Sequence, residues 1–189
     1  FRGDTLYAVK SNPHPIALTQ LWNAGIRHFD TASLGEIEAV KSRFPDAICH
    51  FMAPVRLPGQ AKAAFEKHGV TDFVVDSEAE LEKIAATAPG ARVFCRILIN
   101  GEGALWPLNR KFGCAPEMAG DLLVRAKALG LDPYGVSFHV GSQQLDPTQW
   151  SGAIAAAKSV FDRANAAGVA LRMIDLGGGF PAFYGPDVA

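Results

Sequence analysis

Cysteine is scarce in this chain. Cys49, Cys95 and Cys114 are the three present in 189 residues, an odd number at spacings that match no zinc-ligand pattern. That argues against a disulfide framework and a metal site, and a reduced, cytoplasmic setting is expected. An excess of one charge is also lacking. A net charge of −1 leaves no basic footprint for nucleic acid. No apolar run approaches the roughly 20 residues that cross a bilayer, and no signal-peptide pattern opens the chain, so no membrane partner is expected. No G-x-G-x-x-G follows the first strand-like run, which counts against a dinucleotide-binding fold. Sequence repeats and low-complexity linkers are missing too.

What is present is a globular composition, 49% hydrophobic and 20% charged, enough for one domain over residues 1–189 with a sizeable core. The chain begins at Phe1 with strand-like residues close behind. It stops just after Gly185-Pro186-Asp187 with nothing resembling a closing element, and reads as a piece of a longer protein. Short β-branched or aromatic runs at 6–10, 27–31, 47–52, 71–76, 92–99, 135–140 and 172–176 predict strands. Between them, 16–24, 34–44, 59–68, 78–87, 117–129 and 149–167 carry helical periodicity. Ser33-x-x-Glu36 and Ser77-x-x-Glu80 have the form of capping boxes. Gly25, Gly69, Gly130 and Gly168 stand where helices should stop. Strict alternation requires a parallel sheet with right-handed crossovers. An open doubly wound sheet and a barrel both satisfy it. Units this short favour a TIM (β/α)8-type barrel with seven strands present and the last beyond Ala189.

The first strand-like run ends on a lysine, in Tyr7-Ala8-Val9-Lys10-Ser11-Asn12-Pro13. Alternation puts Lys10 on the face of Leu6 and Ala8. A lysine there can form a Schiff base with an aldehyde cofactor if its surroundings lower its pKa; alone, it reads more readily as a solvated strand cap, because most lysines are exposed. Polar residues recur at the same level of other strands: Asp30 after Phe29, Arg96 among Val93, Cys95 and Ile97, Ser137 and His139 among Val136, Phe138 and Val140, and Asp175 between Ile174 and Leu176. An apolar outer face with polar groups near the strand ends is how a barrel enzyme distributes catalytic groups. After the last run, Gly177-Gly178-Gly179 offers backbone N–H groups to an anion, and Ser142, in Val140-Gly141-Ser142-Gln143, adds a hydroxyl. A strand-terminal lysine and a phosphate cradle suggest one ligand with an aldehyde and a phosphate, pyridoxal 5′-phosphate (PLP).

Taken in order, Tyr7-Ala8-Val9-Lys10, Phe29-Asp30-Thr31-Ala32-Ser33, Lys111-Phe112-Gly113, Gly135-Val136-Ser137-Phe138-His139-Val140-Gly141-Ser142 and Asp175-Leu176-Gly177-Gly178-Gly179-Phe180-Pro181 resemble the ornithine/diaminopimelate/arginine decarboxylase family. These are the alanine-racemase-like, fold type III PLP enzymes, and the forms of the second and fourth motifs look more like the ornithine decarboxylase branch. The resemblance implies that Lys10 is the Schiff-base lysine and that His139 stacks on the pyridine ring; these are the expected catalytic residues. It implies that Ser142, Gly177, Gly178 and Gly179 hold the phosphate, and that Asp30 and Arg96 line the cofactor site. Glu36 matches a family position near the site as well as a capping box. Lys111 matches a lysine that can pair across a homodimer interface with shared active sites. The eighth strand, with an acidic partner for the pyridine nitrogen and an arginine for the phosphate, and a C-terminal β-domain with a cysteine and a substrate-binding aspartate, would lie beyond Ala189. The piece alone is therefore expected to be inactive or nearly so. One departure stands out. Ala53-Pro54-Val55-Arg56 replaces the branch's Asn-Pro-x-Lys, losing a possible hydrogen bond.

The implied activity is decarboxylation of a basic L-amino acid, with ornithine (giving putrescine, in polyamine biosynthesis) the first candidate and lysine the second. Diaminopimelate, a catalytically silent PLP-binding regulatory homologue and an unrelated phosphate-binding barrel enzyme are the alternatives. An intact lysine and glycine loop weigh against the silent homologue.

Overall fold

The structure, a computed structural model, describes residues 3–108, 111–183 and 185. Two compact units divide the chain: Phe1–Val93 with Leu129–Asp132, and Phe94–Ala128 with Pro133–Ala189.

The first unit repeats a strand–helix step. It holds β1 (Leu6–Ala8), α1 (Pro15–Asn23), β2 (His28–Thr31), α2 (Leu34–Lys41), β3 (Ile48–Phe51), α3 (Gln60–His68), β4 (Asp72–Val75), α4 (Glu78–Thr87) and the start of β5 (Arg92–Arg96). β1 to β4 pair in parallel, with Tyr7 opposite Phe29, Thr31 opposite Phe51 and Phe51 opposite Phe73. That register sets Phe51 beside Phe73 and leaves Phe29 on the same face of the sheet; all three are fully buried, as are Leu18, Ile37, Leu81 and Ile84 of the helices. Each such side chain contributes about 1.5–3 kcal/mol of transfer free energy. The expected caps are present. Ser33 Oγ accepts from Glu36 N at 3.3 Å and Ser77 Oγ from Glu80 N at 3.4 Å. The reciprocal half differs: the Glu36 carboxylate reaches back one residue further, to Ala32 N at 2.8 Å, and Glu80 turns to Arg56 and Lys83 instead. Gly25 and Gly69 stop their helices with φ +98° and +64°.

The second unit holds the rest of β5, then β6 (Ala104–Trp106), α5 (Pro116–Ala128), β7 (Asp132–Ser137), β8 (Ser142–Gln144), α6 (Thr148–Ala166) and β9 (Met173–Asp175). α5 buries Ala119, Gly120, Leu122, Leu123 and Ala126, and α6 buries Ala153, Ala157, Val160 and Ala164. A Cβ on Gly120 would stand 2.5 Å from Arg163 Cδ, so glycine lets that arginine cross and reach Asp121 at 2.6 Å. β6 and β8 form a separate antiparallel ribbon, unforeseen because three residues are too few to show alternation.

The main sheet runs β1-β2-β3-β4-β5-β7-β9. Seven parallel strands alternating with helices place the chain in the α/β, TIM-barrel-type class that the sequence suggested. Two expectations are corrected. The first strand ends at Ala8, and Lys10 lies in a 3-10 turn, Val9–Ser11, so strand parity does not set its direction. The sixth sequence run, expected at 135–140, is strand only to Ser137 and begins early, at Asp132, despite Pro133. His139 therefore lies past the strand.

A buried polar line crosses the first unit. His28 Nδ1 lies 2.9 Å from His50 Nε2, and His50 Nδ1 lies 3.4 Å from Asp72 Oδ2. Arg92 reaches Asp72 Oδ1 and Oδ2 at 2.6 and 2.8 Å. Burial, with His28 and Arg92 nearby, pushes His50 from 6.5 down to about 4. Burial pushes Asp72 from 3.8 up to about 6, against the pull of Arg92. The signs oppose each other. Unfolded chains bind a proton at His50 first, so its contribution to stability is lost as pH falls from 6.5 to about 4. Folded chains bind one at Asp72 first, so its contribution is regained as pH falls from about 6 to 3.8. Removing the imidazole should unmask the difference. Wild type is expected to lose up to about 3 kcal/mol relative to His50→Gln on acidification across the His50 window. Urea unfolding at stepped pH reads it, and parallel pH profiles for the two proteins would refute it.

Candidate functional site

In the first unit, the segment around Lys10 is tied down by its neighbours. Ser11 Oγ donates to Ala8 O at 2.8 Å and to Tyr7 Oη at 3.2 Å, and Tyr7 Oη donates to Asn12 O at 3.1 Å. Asn12 N donates to Val9 O at 3.2 Å, closing the turn, and Asn12 is extended at φ −158°, as a residue before proline prefers. The Lys10 backbone is thus held while its side chain is exposed. Asp30, half-buried in β2, pairs in register with Ala8 on one side and His50 on the other. Glu36 is occupied at the start of α2 by Ala32 N, which supports its capping role. The Ala53 departure is resolved by Arg56, which is buried and donates to Ala53 O at 2.6 Å and Val74 O at 2.9 Å while its other nitrogen meets Glu80 Oε2 at 3.2 Å. The lost side-chain amide is replaced by a guanidinium pinning the backbone.

In the second unit, β5, β7 and β9 bring three polar residues to one level. Arg96 ends β5, Ser137 ends β7, and Asp175 ends β9 opposite Ser137. Ile97 N donates to Ser137 O at 2.9 Å and Phe138 N to Asp175 O at 3.1 Å, so these ends are stitched together by backbone. The Arg96 guanidinium lies 5.4 Å from the centre of the Phe112 ring, and Lys111 Nζ lies 5.3 Å from the same ring. Asp175 is enclosed. Burial pushes its carboxyl up, opposed by the Gly177 N–H, the Ser137 hydroxyl and the Arg96 charge.

The glycine loop packs directly on the segment after β7. A Cβ on Gly177 would sit 2.2 Å from Phe138 O, and one on Gly179 2.2 Å from Gly141 O; both residues have positive φ, +65° and +98°. Only glycine meets both demands. Gly178 differs: its φ is ordinary, and a Cβ there would stand 3.2 Å from His139 Nε2. The missing side chain leaves space beside the imidazole. Gly141 N donates to His139 Nδ1 at 3.0 Å, so the neutral ring carries its proton on Nε2, the atom facing that space.

Two glutamines that carried no role in the sequence reading lace the loop in place. Gln144 N donates to Gly179 O at 2.8 Å, and the buried Gln144 side chain donates to Glu102 O and Val140 O at 2.8 and 3.0 Å. Gln143, at φ +53°, exchanges two hydrogen bonds with the Ala182 backbone, at 2.7 and 2.8 Å. A Gln-Gln pair directly after Gly-Ser was the available signal. Ser142, at the start of β8, is exposed. Among the described residues, no group of three or more His, Cys, Asp or Glu could hold a metal ion.

The second unit thus offers a flat imidazole edge, a side-chain-free backbone loop beside it and a guanidinium at the neighbouring strand end. This donor set suits a planar ring bearing an anionic arm, and pyridoxal phosphate fits it. Residues 2–187 match the family model described as pyridoxal-dependent decarboxylase, pyridoxal binding domain. The chain belongs to that family. It is 40% identical over 181 residues to the lysine/ornithine decarboxylase of Selenomonas ruminantium, covering 95% of this chain and 46% of the relative. It is 38% identical over 176 residues to the ornithine decarboxylase of Mus musculus, covering 93% and 38%. The arginine decarboxylase of Paramecium bursaria Chlorella virus, solved bound to agmatine, superposes with TM-score 0.86 at 31% identity, covering 93% of this chain and 47% of that one. The chain spans about half the length of the curated relatives it matches or less.

The loop geometry separates two glycines by mechanism. Gly178→Val should weaken PLP binding by about tenfold or more while leaving Tm within a few degrees, because its neighbour is a movable side chain. Gly179→Val should instead lower Tm, since a Cβ there meets backbone. Fluorescence titration with PLP and thermal melts of both variants check this; wild-type affinity in Gly178→Val would reduce the loop to a plain turn.

Proposed function

We propose that the full-length protein is a PLP-dependent decarboxylase of a basic L-amino acid, with ornithine its first substrate and lysine its second. The observation that carries this is the space at Gly178 beside the fixed edge of His139, in a chain that belongs to the pyridoxal-binding family. When bound, the cofactor supplies an electron sink for the pair released as the Cα–carboxylate bond breaks. This chain's residues hold and orient it. Lys10 supplies the amine that binds the cofactor aldehyde, from a turn whose backbone Tyr7, Ser11 and Asn12 hold still. His139 places its ring by accepting from Gly141 N and presents a protonated Nε2 edge. The loop at Gly178 and Gly179, with Ser142, binds the phosphate. Asp30 and Arg96 line the cofactor site.

Gly177 takes a different role from the one its motif suggests. Its N–H donates to Asp175 Oδ1 at 2.9 Å, so it shapes the loop and leaves phosphate binding to the glycines after it.

The lysine reading rests on a relative named for both lysine and ornithine. Assays of the full-length protein with ornithine, lysine, arginine and diaminopimelate decide between substrates. Putrescine is expected to form fastest, then cadaverine. Product only from diaminopimelate, or none from any of the four, would overturn the reading. Lys10→Ala should leave no borohydride-fixed cofactor on the protein, read by mass spectrometry; a fixed cofactor in that variant would exclude Lys10.

We further propose a cytoplasmic homodimer with shared sites, because the resemblance places catalytic groups in a C-terminal domain and matches Lys111 to a lysine that pairs across the interface. Exposed ion pairs contribute about 0–1 kcal/mol, so Lys111→Ala should loosen the dimer without abolishing it in sedimentation equilibrium. Mixing Lys10→Ala with a variant lacking the C-terminal cysteine should restore part of the activity. A dead mixture with demonstrated subunit exchange would refute sharing.

A further inference from the structure

Asp175 has no assigned part in the cofactor site, yet three of that site's elements converge on it. Its Oδ1 accepts from Gly177 N at 2.9 Å, the bond that turns the chain into the glycine loop. Its neighbour in register is Ser137, whose hydroxyl donates to the carboxylate. Arg96 ends the next strand but one, level with Asp175, so its cation stands on the same rim as the carboxylate. The three strand ends are locked level by Ile97 N to Ser137 O and Phe138 N to Asp175 O. A carboxylate partly withdrawn from water, as the half-buried Asp175 is, is costly unless hydrogen-bonded and charge-compensated. Here the compensation comes from the start of the glycine loop, through Gly177 N, and from Ser137 and Arg96 at the neighbouring strand ends.

We propose that Asp175 is the positioning residue of the cofactor site, its carboxylate setting the glycine loop and the Arg96 guanidinium in one fixed relation. This rests on the cofactor reading above. A local turn is the competing role, since a carboxylate accepting from the N–H two residues on is a common strand-end device. The two roles separate chemically. Asparagine keeps the oxygen that Gly177 needs and loses the charge that Arg96 needs, whereas alanine loses both.

The roles therefore predict different ladders in the full-length protein. Asp175→Asn should keep Tm within a few degrees, and hydrogen exchange across 173–183 in the cofactor-free protein should stay at the wild-type rate. PLP affinity should fall about tenfold and the visible circular dichroism of bound PLP should change, because the charge partner of Arg96 is gone. Asp175→Ala should show the same losses together with faster exchange across the loop. Arg96→Gln should also lose about tenfold, and the double variant Arg96→Gln with Asp175→Asn should lose about tenfold again rather than the hundredfold expected of independent sites. If Asp175→Asn binds PLP like wild type with an unchanged dichroism band, Asp175 is a turn former and the proposal fails while the cofactor reading stands. Additive losses in the double variant overturn the coupling to Arg96. A wild-type protein that takes up no PLP refutes the cofactor reading and this proposal together.

Discussion

The second unit depends on one close approach of backbone to backbone. The glycine loop lies so near the 138–141 segment that a single added carbon at Gly177 or Gly179 would fall 2.2 Å from a carbonyl oxygen. At that separation the neighbour cannot yield, because it is main chain already engaged: Gly141 N holds His139, and Gln144 N holds Gly179 O. The imidazole orientation, the placement of β8 and the space at Gly178 all follow from this contact. Glycine here is required by packing and by positive φ at once.

Polar groups along the strands fall into two sets with different chemistry. His28, Asp72 and Arg92 stand at the first positions of β2, β4 and β5, and with His50 they form a line of close polar contacts in which, among the described residues, His50 Nδ1 and Asp72 Oδ1 make no hydrogen bond. Ser137, Arg96 and Asp175 stand at the last positions of β7, β5 and β9, with Asp30 one residue from the end of β2. In barrel-type folds the starts of strands serve stability and the ends serve ligands. The residues agree with that division. The early set joins strands of the first unit by close polar contacts. The late set in the second unit gathers at the half-buried carboxylate of Asp175.

Family membership covers nearly the whole chain, and the chain covers about half or less of the curated relatives it matches. Relatives named for ornithine, for lysine with ornithine, and for arginine stand at comparable similarity. What this chain shares with each of them is the part matched by the pyridoxal binding domain model, so the similarity identifies the cofactor more sharply than the amino acid.

Most of the architecture was legible in the amino-acid sequence because it is written in local signals. Period-two and period-3.6 patterns marked seven strands and six helices, serines marked two helix starts, and Gly25, Gly69, Gly130 and Gly168 marked helix ends, all with positive φ in the structure. The motif residues from Lys10 to Gly179 were legible for the same reason, each lying in a short contiguous run. What local pattern could not decide was decided by tertiary contact. The turn at Lys10 comes from Ser11 and Asn12 closing on Ala8 and Val9, which overrides strand alternation. The end of β7 at Ser137 comes from pairing with β9 over Gly135–Ser137, and its early start from Asp132 N bonding to Ala91 O. The replacement for the missing amide at Ala53 comes from Arg56, bonded to Val74 eighteen residues away. Gly177's bond to Asp175 separates it from its neighbours in a run of three identical residues. Sequence sets which conformations each segment can adopt. Which hydrogen bonds a buried group makes depends on what the folded chain brings within 3 Å of it, a length on which residue number carries no information.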